Sequence, residues 1–383
     1  MNEETRKTAD YLIALLKSVL DGTCPAEKPE QVSFEQLYKL AKFHCVQCMA
    51  YYAVEKLKTQ PEPKQGHKWK SERDQHIVRS MIQLSERNSI LENLMGAGID
   101  ALPLKGCLLK EMYPQADYRE MADLDILIDA KKAELARKQM ETLGYTTEHF
   151  AVSNHDNYIK SPYMGVELHR DMLHEQYEAH AYYKNVWEKA IPDEGRAHCF
   201  HFSWDDYYIF MLTHFAKHYF GGGSGIRSIM DIHVFLDRHK IDLHQNYLKQ
   251  ELEQLDLSEF KETAEHLAEC WFGDADQTEK TEEMASYVIS SGVYGTSKQA
   301  IKNKIKKAET KANSVWKGKV SYFFSRIFLP YKTMCFLFPV LKKLPILLPF
   351  CWLMRLILAV IQKRKRVKME LHMIVKSQKE KND

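Results

Sequence analysis

The run Asp123-Leu-Asp-Ile-Leu-Ile-Asp129 constrains the fold more than any other stretch, because its acidic and apolar residues alternate with a period of two. That alternation predicts a strand with Asp123 and Asp125 on one face and Leu124, Ile126 and Ile128 on the other. Just upstream, DALPLKG predicts a short strand from Ala101 to Leu104 that turns at Lys105-Gly106 into an amphipathic helix, CLLKEMY. Downstream, KKAELARKQMETLGY predicts a helix closing at Gly144, and TTEHFAV and MGVELHR read as two further strands. Residues 98–170 thus describe a small mixed sheet with covering helices.

Helical periodicity dominates on both sides. Residues 5–57 read as helices interrupted between Gly22 and Pro29, with Ser33 as the N-cap of SFEQLYKLAKF. A polar connector, KTQPEPKQGHK (58–68), precedes a long helix from about Lys70 to Met95. Beyond residue 200, SWDDYYIFMLTHFAKHYF opens on Ser203 as N-cap, and a glycine break leads into another helix, IRSIMDIHVFLDRHK. The expected fold class is α+β: a small mixed β-sheet unit flanked by N-terminal and C-terminal helical regions. The expected divisions are an N-terminal helical region (1–97), the α/β core (98–200), a helical domain (201–300) and a basic, apolar-interrupted tail (301–383).

The tail differs from the body in charge. Residues 301–383 hold 20 Lys/Arg against 4 Asp/Glu, leaving 34 basic and 48 acidic residues in the rest of a chain whose overall charge is only +2. Its longest uncharged stretch, Leu344 to Met354, contains two prolines and is too short for a bilayer span, which needs ~20 apolar residues. An apolar segment running into the basic cluster Lys363 to Lys368 suits an anionic membrane surface, reached through residues 320–368. Helices packed on the body with a solvated basic end would have the same composition. The first ten residues carry charge throughout and lack the order of a signal peptide, so a cytoplasmic protein with peripheral membrane association is expected. Eight dispersed cysteines fit reduced thiols. Cys45 and Cys48 form a CxxC pair on a helical pattern, and with no second pair to complete a four-thiolate zinc site they read as two helix cysteines.

Chemistry concentrates in residues 105–167. Two carboxylates at i and i+2 on a strand project to one side, close enough to share divalent cations and too close to ionise comfortably without them. Mg²⁺ accepts one or two protein carboxylates together with substrate phosphates, and Asp123 and Asp125 offer that pair. Lys105-Gly106 lies between strand and helix, where a glycine lets a phosphate approach the backbone. Arg119 adds a bidentate-capable cation. Glu167, alternating with Val166 and Leu168, faces away from them and toward the side of a strand that the Asp pair can share. His169 shares that face of the strand. His214 and His218 have the spacing of a zinc-hydrolase pair without its glutamate, so their helix is read as a cleft wall, with Lys217, His218, Arg227 and Asp231 as contacts to nucleotide or acceptor.

These residues carry a resemblance. LPLKGCLLKEMYPQADYREMADLDILID, then LGY and VELH, resemble the uncharacterised nucleotidyltransferase family of the DNA polymerase β superfamily. The resemblance continues through THFAKHYFGGGSGIRSIMDIHVFLD into PYKTMCFLFPVLKKLPILLPFCWLMRLI, covering the chain from about residue 85. It implies a metal-dependent nucleotidyltransferase that passes an NMP from an NTP to a hydroxyl or phosphate acceptor and releases pyrophosphate. It also implies metal ligation (Mg²⁺ or Mn²⁺) and catalysis by Asp123, Asp125 and Glu167, with Gly106 at the nucleotide phosphates; the chemistry would then have Lys105 and Arg119 clamp the triphosphate. Two features depart from the superfamily: the turn is Lys-Gly, with 16 residues between Gly106 and Asp123, and the third acid is Glu. A catalytically degenerate nucleotide-binding or scaffold protein would carry the same motifs. Nucleic-acid polymerisation is disfavoured, because the candidate catalytic body is acidic and a template groove needs dense cations.

Overall fold

A computed structural model describes residues 1–162, 164–312 and 314–362. The basic cluster 363–368 lies outside the described residues. Contacts divide the chain into two units, the first comprising Met1–Lys217 with Ser224–Val293 and the second comprising His218–Gly223 with the chain from Tyr294 onward.

The first unit begins with helices α1 (Glu3–Leu20), α2 (Phe34–Phe43), α3 (Gln47–Val54) and α4 (Pro63–Gly96). Ser33 caps α2 by accepting from the Gln36 amide at 3.1 Å. The long helix α4 starts seven residues before the expected Lys70, inside the segment read as a connector. Pro63 stands in its first turn, where a missing N–H costs nothing, so the proline that suggested a linker starts the helix instead.

Then follow β1 (Ala101–Pro103), α5 (Gly106–Met112), β2 (Leu124–Ile128), α6 (Ala133–Thr142), β3 (Thr146–His149), β4 (His155–Lys160) and β5 (Met164–His169). They build a five-stranded mixed sheet in the order β1-β2-β5-β4-β3, in which only β2 and β5 run parallel. Leu124, Ile126 and Ile128 of β2, Tyr158 of β4 and Val166 and Leu168 of β5 face one way and pack on Ile90, Leu91 and Leu94 of α4 and Ala136 and Met140 of α6. The expected faces of Asp125 and its apolar neighbours are as found, although the strand begins at Leu124 and Asp123 sits just before it.

β4 was not expected. Its sequence, HDNYIK, hides the period because the core-facing position 156 is an aspartate, fully buried beside Arg170 at 3.3 Å and receiving the Ala151 amide at 2.7 Å. A two-stranded ribbon, β6 (Ala190–Pro192) with β7 (Phe200–Phe202), leads to α7 (Trp204–Gly221), α8 (Ile226–His239), α9 (Gln245–Gln254), α10 (Ser258–Phe272) and α11 (Glu279–Ser291). Ser203 caps α7 through the Asp206 amide at 3.1 Å.

The second unit holds α12 (Ser297–Lys311), α13 (Val315–Ile327), α14 (Tyr331–Leu337) and α15 (Leu348–Gln362). Two small clusters, one around Met334, Leu341 and Cys351 and one around Ile301, Ile305 and Tyr322, form its interior. Much of its apolar surface stays outside, with Ile346, Phe350 and Ile361 each more than 60% exposed. Among the described residues, no helix is long and apolar enough to cross a membrane.

Candidate active site

On the sheet face opposite the core, cross-strand register assembles the acids. Asp125 of β2 is the direct parallel partner of Glu167 of β5. Gly165, two residues before Glu167, lies beside Asp123, so no side chain intrudes there; a Cβ at Gly165 would sit 3.8 Å from that of Asp123. The antiparallel neighbour β4 then sets His155 opposite His169. Strand register therefore brings Asp123, Asp125, Glu167, His155 and His169 to one patch. His155 escaped the sequence reading because its strand did. Only burial reveals the alternation, with Asp156 and Tyr158 turned inward and His155, Asn157 and Ile159 turned out.

The electrostatics of the patch are uneven. Asp125 is buried, and its Oδ1 accepts from Lys105 Nζ at 2.6 Å and from His169 Nε2 at 2.9 Å. Burial alone would raise its pKa, but the adjacent ammonium and the imidazole hold it far below the usual carboxylate range. Glu167 lies 3.3 Å from His169 Nε2 and 3.5 Å from His155 Nε2. Burial pushes it up, yet the His169 hydrogen bond outweighs this and its pKa ends below normal. Asp123 goes the other way. Burial first, then repulsion from Asp125 and Glu167, raise its carboxyl to about 6, against the weaker pull of Lys105 and Arg227. His169 is pushed down by burial, but its bonds to the two acids leave it more basic than a free imidazole.

The Lys105 backbone is strained. It lies between β1 and α5 with φ 45° and ψ −120°, a conformation that an L residue adopts only under constraint, at a cost of roughly 1–3 kcal/mol. The Tyr207 hydroxyl holds that turn by donating to the Lys105 carbonyl at 2.8 Å, while Lys105 Nζ reaches Asp125. Strain of this kind persists only where the surroundings over-determine it, as the buried Lys105–Asp125 pair and the Tyr207 hydroxyl do here.

The remaining expected residues fall into two groups. Lys217, on α7, approaches the patch: burial first and then the nearby Lys105 charge lower its ammonium to about 8, with Asp125 and Glu167 opposing them. Arg227 donates to the Glu120 carbonyl at 2.6 Å and exerts its charge on Asp123. Arg119 and Asp231 are instead bound to each other, Nε to Oδ1 at 2.7 Å and Nη2 to Oδ2 at 2.9 Å, with Tyr113 also donating to Asp231 at 2.7 Å. Both are buried, so this arrangement differs from the expected triphosphate clamp and acceptor contact; the ion pair ties α8 to the loop before β2. Gly106 also differs from an open cradle. A Cβ there would lie 2.5 Å from Met121 Sδ and 2.6 Å from Arg119 Nη1, so the glycine permits close packing of α5 on that loop. His218 is exposed and belongs to the second unit.

The donor set fits a divalent cation. Asp123 makes no hydrogen bond or ion pair among the described residues, and Asp125 Oδ2 accepts none. His155, Glu167 and His169 each offer a ligand atom within 4.8 Å of the others. The acids thus lie on one face of a small mixed sheet, across its parallel β2–β5 pair. The chain belongs to the uncharacterised nucleotidyltransferase family, whose model matches residues 30–273. That match starts well before residue 85 and stops short of the apolar tail, in contrast to the extent expected from the sequence. No curated protein and no solved structure matches the chain.

Proposed function

We propose that the chain transfers an NMP from a Mg²⁺- or Mn²⁺-bound NTP to a hydroxyl or phosphate acceptor, releasing pyrophosphate, with Asp123, Asp125 and Glu167 as the metal ligands. The observation that carries this reading is the strand register that sets Asp123, Asp125 and Glu167 on one sheet face, with Asp123 making no hydrogen bond or ion pair among the described residues. A bound divalent cation would supply activation of the attacking oxygen and neutralisation of the leaving pyrophosphate. The residues prepare for that. In the absence of nucleotide, Lys105 and His169 hold Asp125 ionised and in position. On nucleotide entry the Lys105 ammonium would move from Asp125 to a phosphate oxygen, leaving Oδ1 with His169 Nε2 alone, and Lys217 would add a second cation at the triphosphate. Arg227 keeps the Glu120 carbonyl, and so the approach to Asp123, in place.

The test is incubation of purified protein with α-labelled NTPs and a panel of sugars, sugar phosphates, proteins and RNA ends, with Asp123→Asn as control. Label transfer that requires divalent metal supports the proposal. Nucleotide binding without turnover and without metal overturns it in favour of a degenerate nucleotide-binding protein, in which the Lys105–Asp125 pair is permanent. Metal affinity supplies an independent check. Protons and cations compete for Asp123, so Mn²⁺ affinity measured by titration is expected to fall up to ~10-fold per pH unit below about 6 and to level off above it. An affinity flat from pH 5 to 7 would exclude Asp123 as a ligand.

The second unit supports a separate reading of the tail as a surface for anionic membranes. Phe350, Leu353, Met354, Ile357 and Ile361 of α15 are exposed. Among the described residues of 301–362 the basic side chains greatly outnumber the acidic ones. Sedimentation with phosphatidylserine vesicles, lost in Phe350→Glu/Ile357→Glu, is the expected result; equal sedimentation of the variant would refute it.

A further inference from the structure

A second cluster of metal-ligating groups lies away from the sheet face, between α3, α4 and the loop that enters β2. Cys48 of α3, His76 of α4 and Glu120 of that loop each offer a ligand atom, and the three atoms lie within 4.8 Å of one another. The two cysteines of the CxxC pair part here. Cys45 precedes α3 in a left-handed conformation with φ 51°, whereas Cys48 is buried within the helix.

His76 is the informative member. It is only 7% exposed, and its Nε2 has no hydrogen-bond partner among the described residues. Burial first, then the Lys110 and Arg79 charges, lower its pKa to about 4 against the pull of the Asp117 backbone, so the ring is neutral at pH 7 and has a lone pair to offer. The acids around it keep acceptor capacity, although Glu72 Oε1 is paired with Lys42 Nζ at 2.9 Å. Glu120 is held by the Cys48 amide at 3.2 Å and Gln47 Nε2 at 3.3 Å, and Glu72, one turn before His76, keeps a buried Oε2 without a partner. Burial, reinforced by Glu120 and Glu72, holds the Cys48 thiol protonated. A metal would reverse that preference.

We infer that Cys48, His76 and Glu120 form a structural Zn²⁺ site, independent of the nucleotide site, that staples α3 and α4 to the loop leading into the catalytic strand. One thiolate, one imidazole and one carboxylate suit zinc rather than magnesium, and the fourth position falls to water or to Glu72 Oε2. Binding releases the thiol proton. Because Glu120 stands three residues before Asp123, the zinc would fix the approach to β2 without contacting substrate.

Metal analysis of the full chain, purified without chelator and after dialysis against Zn²⁺, should give about one zinc per chain. Co²⁺ exchanged into the wild type should show a thiolate-to-cobalt charge-transfer band and tetrahedral d–d bands. Cys48→Ser and His76→Gln should each weaken Zn²⁺ by more than the ~10–100-fold typical of losing an outer hydrogen-bonding partner, and Cys45→Ser should leave it unchanged. The cobalt spectrum requires no variant, so misfolding of the substituted chains does not decide the matter. Absence of zinc after reconstitution, a cobalt spectrum without thiolate character, or zinc retained equally by Cys48→Ser would overturn the inference.

Discussion

In Asp123→Asn, nucleotidyl transfer is expected to fall by ~10³-fold or more, as the loss of several kcal/mol of metal-borne transition-state stabilisation requires, while the metal-free protein becomes more stable. The sign follows from the carboxyl's elevated pKa. A carboxylate whose folded-state value is about 6, above its usual 3.8, contributes stability only while protonated, and that contribution is lost as pH rises through 4 to 6. At pH 7 the ionised Asp123 therefore works against the fold, and the neutral amide should return on the order of 1–2 kcal/mol. Asp125→Asn should behave oppositely. It removes the charge that neutralises the buried Lys105, so it loses activity and also about 3–5 kcal/mol of stability. Urea unfolding of both variants, with and without Mn²⁺, separates the two. Equal destabilisation by both substitutions would mean that Asp123 is a structural acid; unchanged turnover in Asp123→Asn would remove it from the metal site.

Arg119→Ala is expected to cost about 3–5 kcal/mol, because among the described residues it strands the Asp231 carboxylate in the interior with Tyr113 as its remaining side-chain donor. Replacing both partners with apolar residues of similar volume, Arg119→Met with Asp231→Leu, should recover most of that loss. The apparent KM for NTP, taken per folded molecule, should stay the same in both variants. A triphosphate clamp would give the reverse pattern, a large rise in KM with little change in the urea midpoint. That outcome would return Arg119 to the nucleotide site.

The contrast between these two pairs shows how far local sequence reaches. Asp125 and Arg119 were equally visible as charged residues near a glycine turn, and both form buried ion pairs. One pair lies on the open sheet face beside two more acids; the other lies between α8 and a loop. Nothing within either segment distinguishes them, because the partners are 20 and 112 residues away in the chain. The same holds for His155, whose strand is masked by a buried aspartate that only Arg170 and the Ala151 amide make tolerable. Gly106 was recognisable as a residue that needs to be glycine. What fills the space beside it, Met121 and Arg119 rather than a ligand, came from packing.

From residues alone came the α+β class, the strand with its acidic and apolar faces, the Lys105-Gly106 turn as a place of interest, and the family. Period-two alternation determines which way side chains point, whatever lies beyond the strand. Tertiary structure decided which neighbours meet them: the parallel register that sets Glu167 against Asp125, the antiparallel one that adds His155, and the burial that drives Asp123 and Asp125 apart in acidity. Charge interactions depend on distance and on exclusion of water, and neither exists until strands far apart in sequence are side by side.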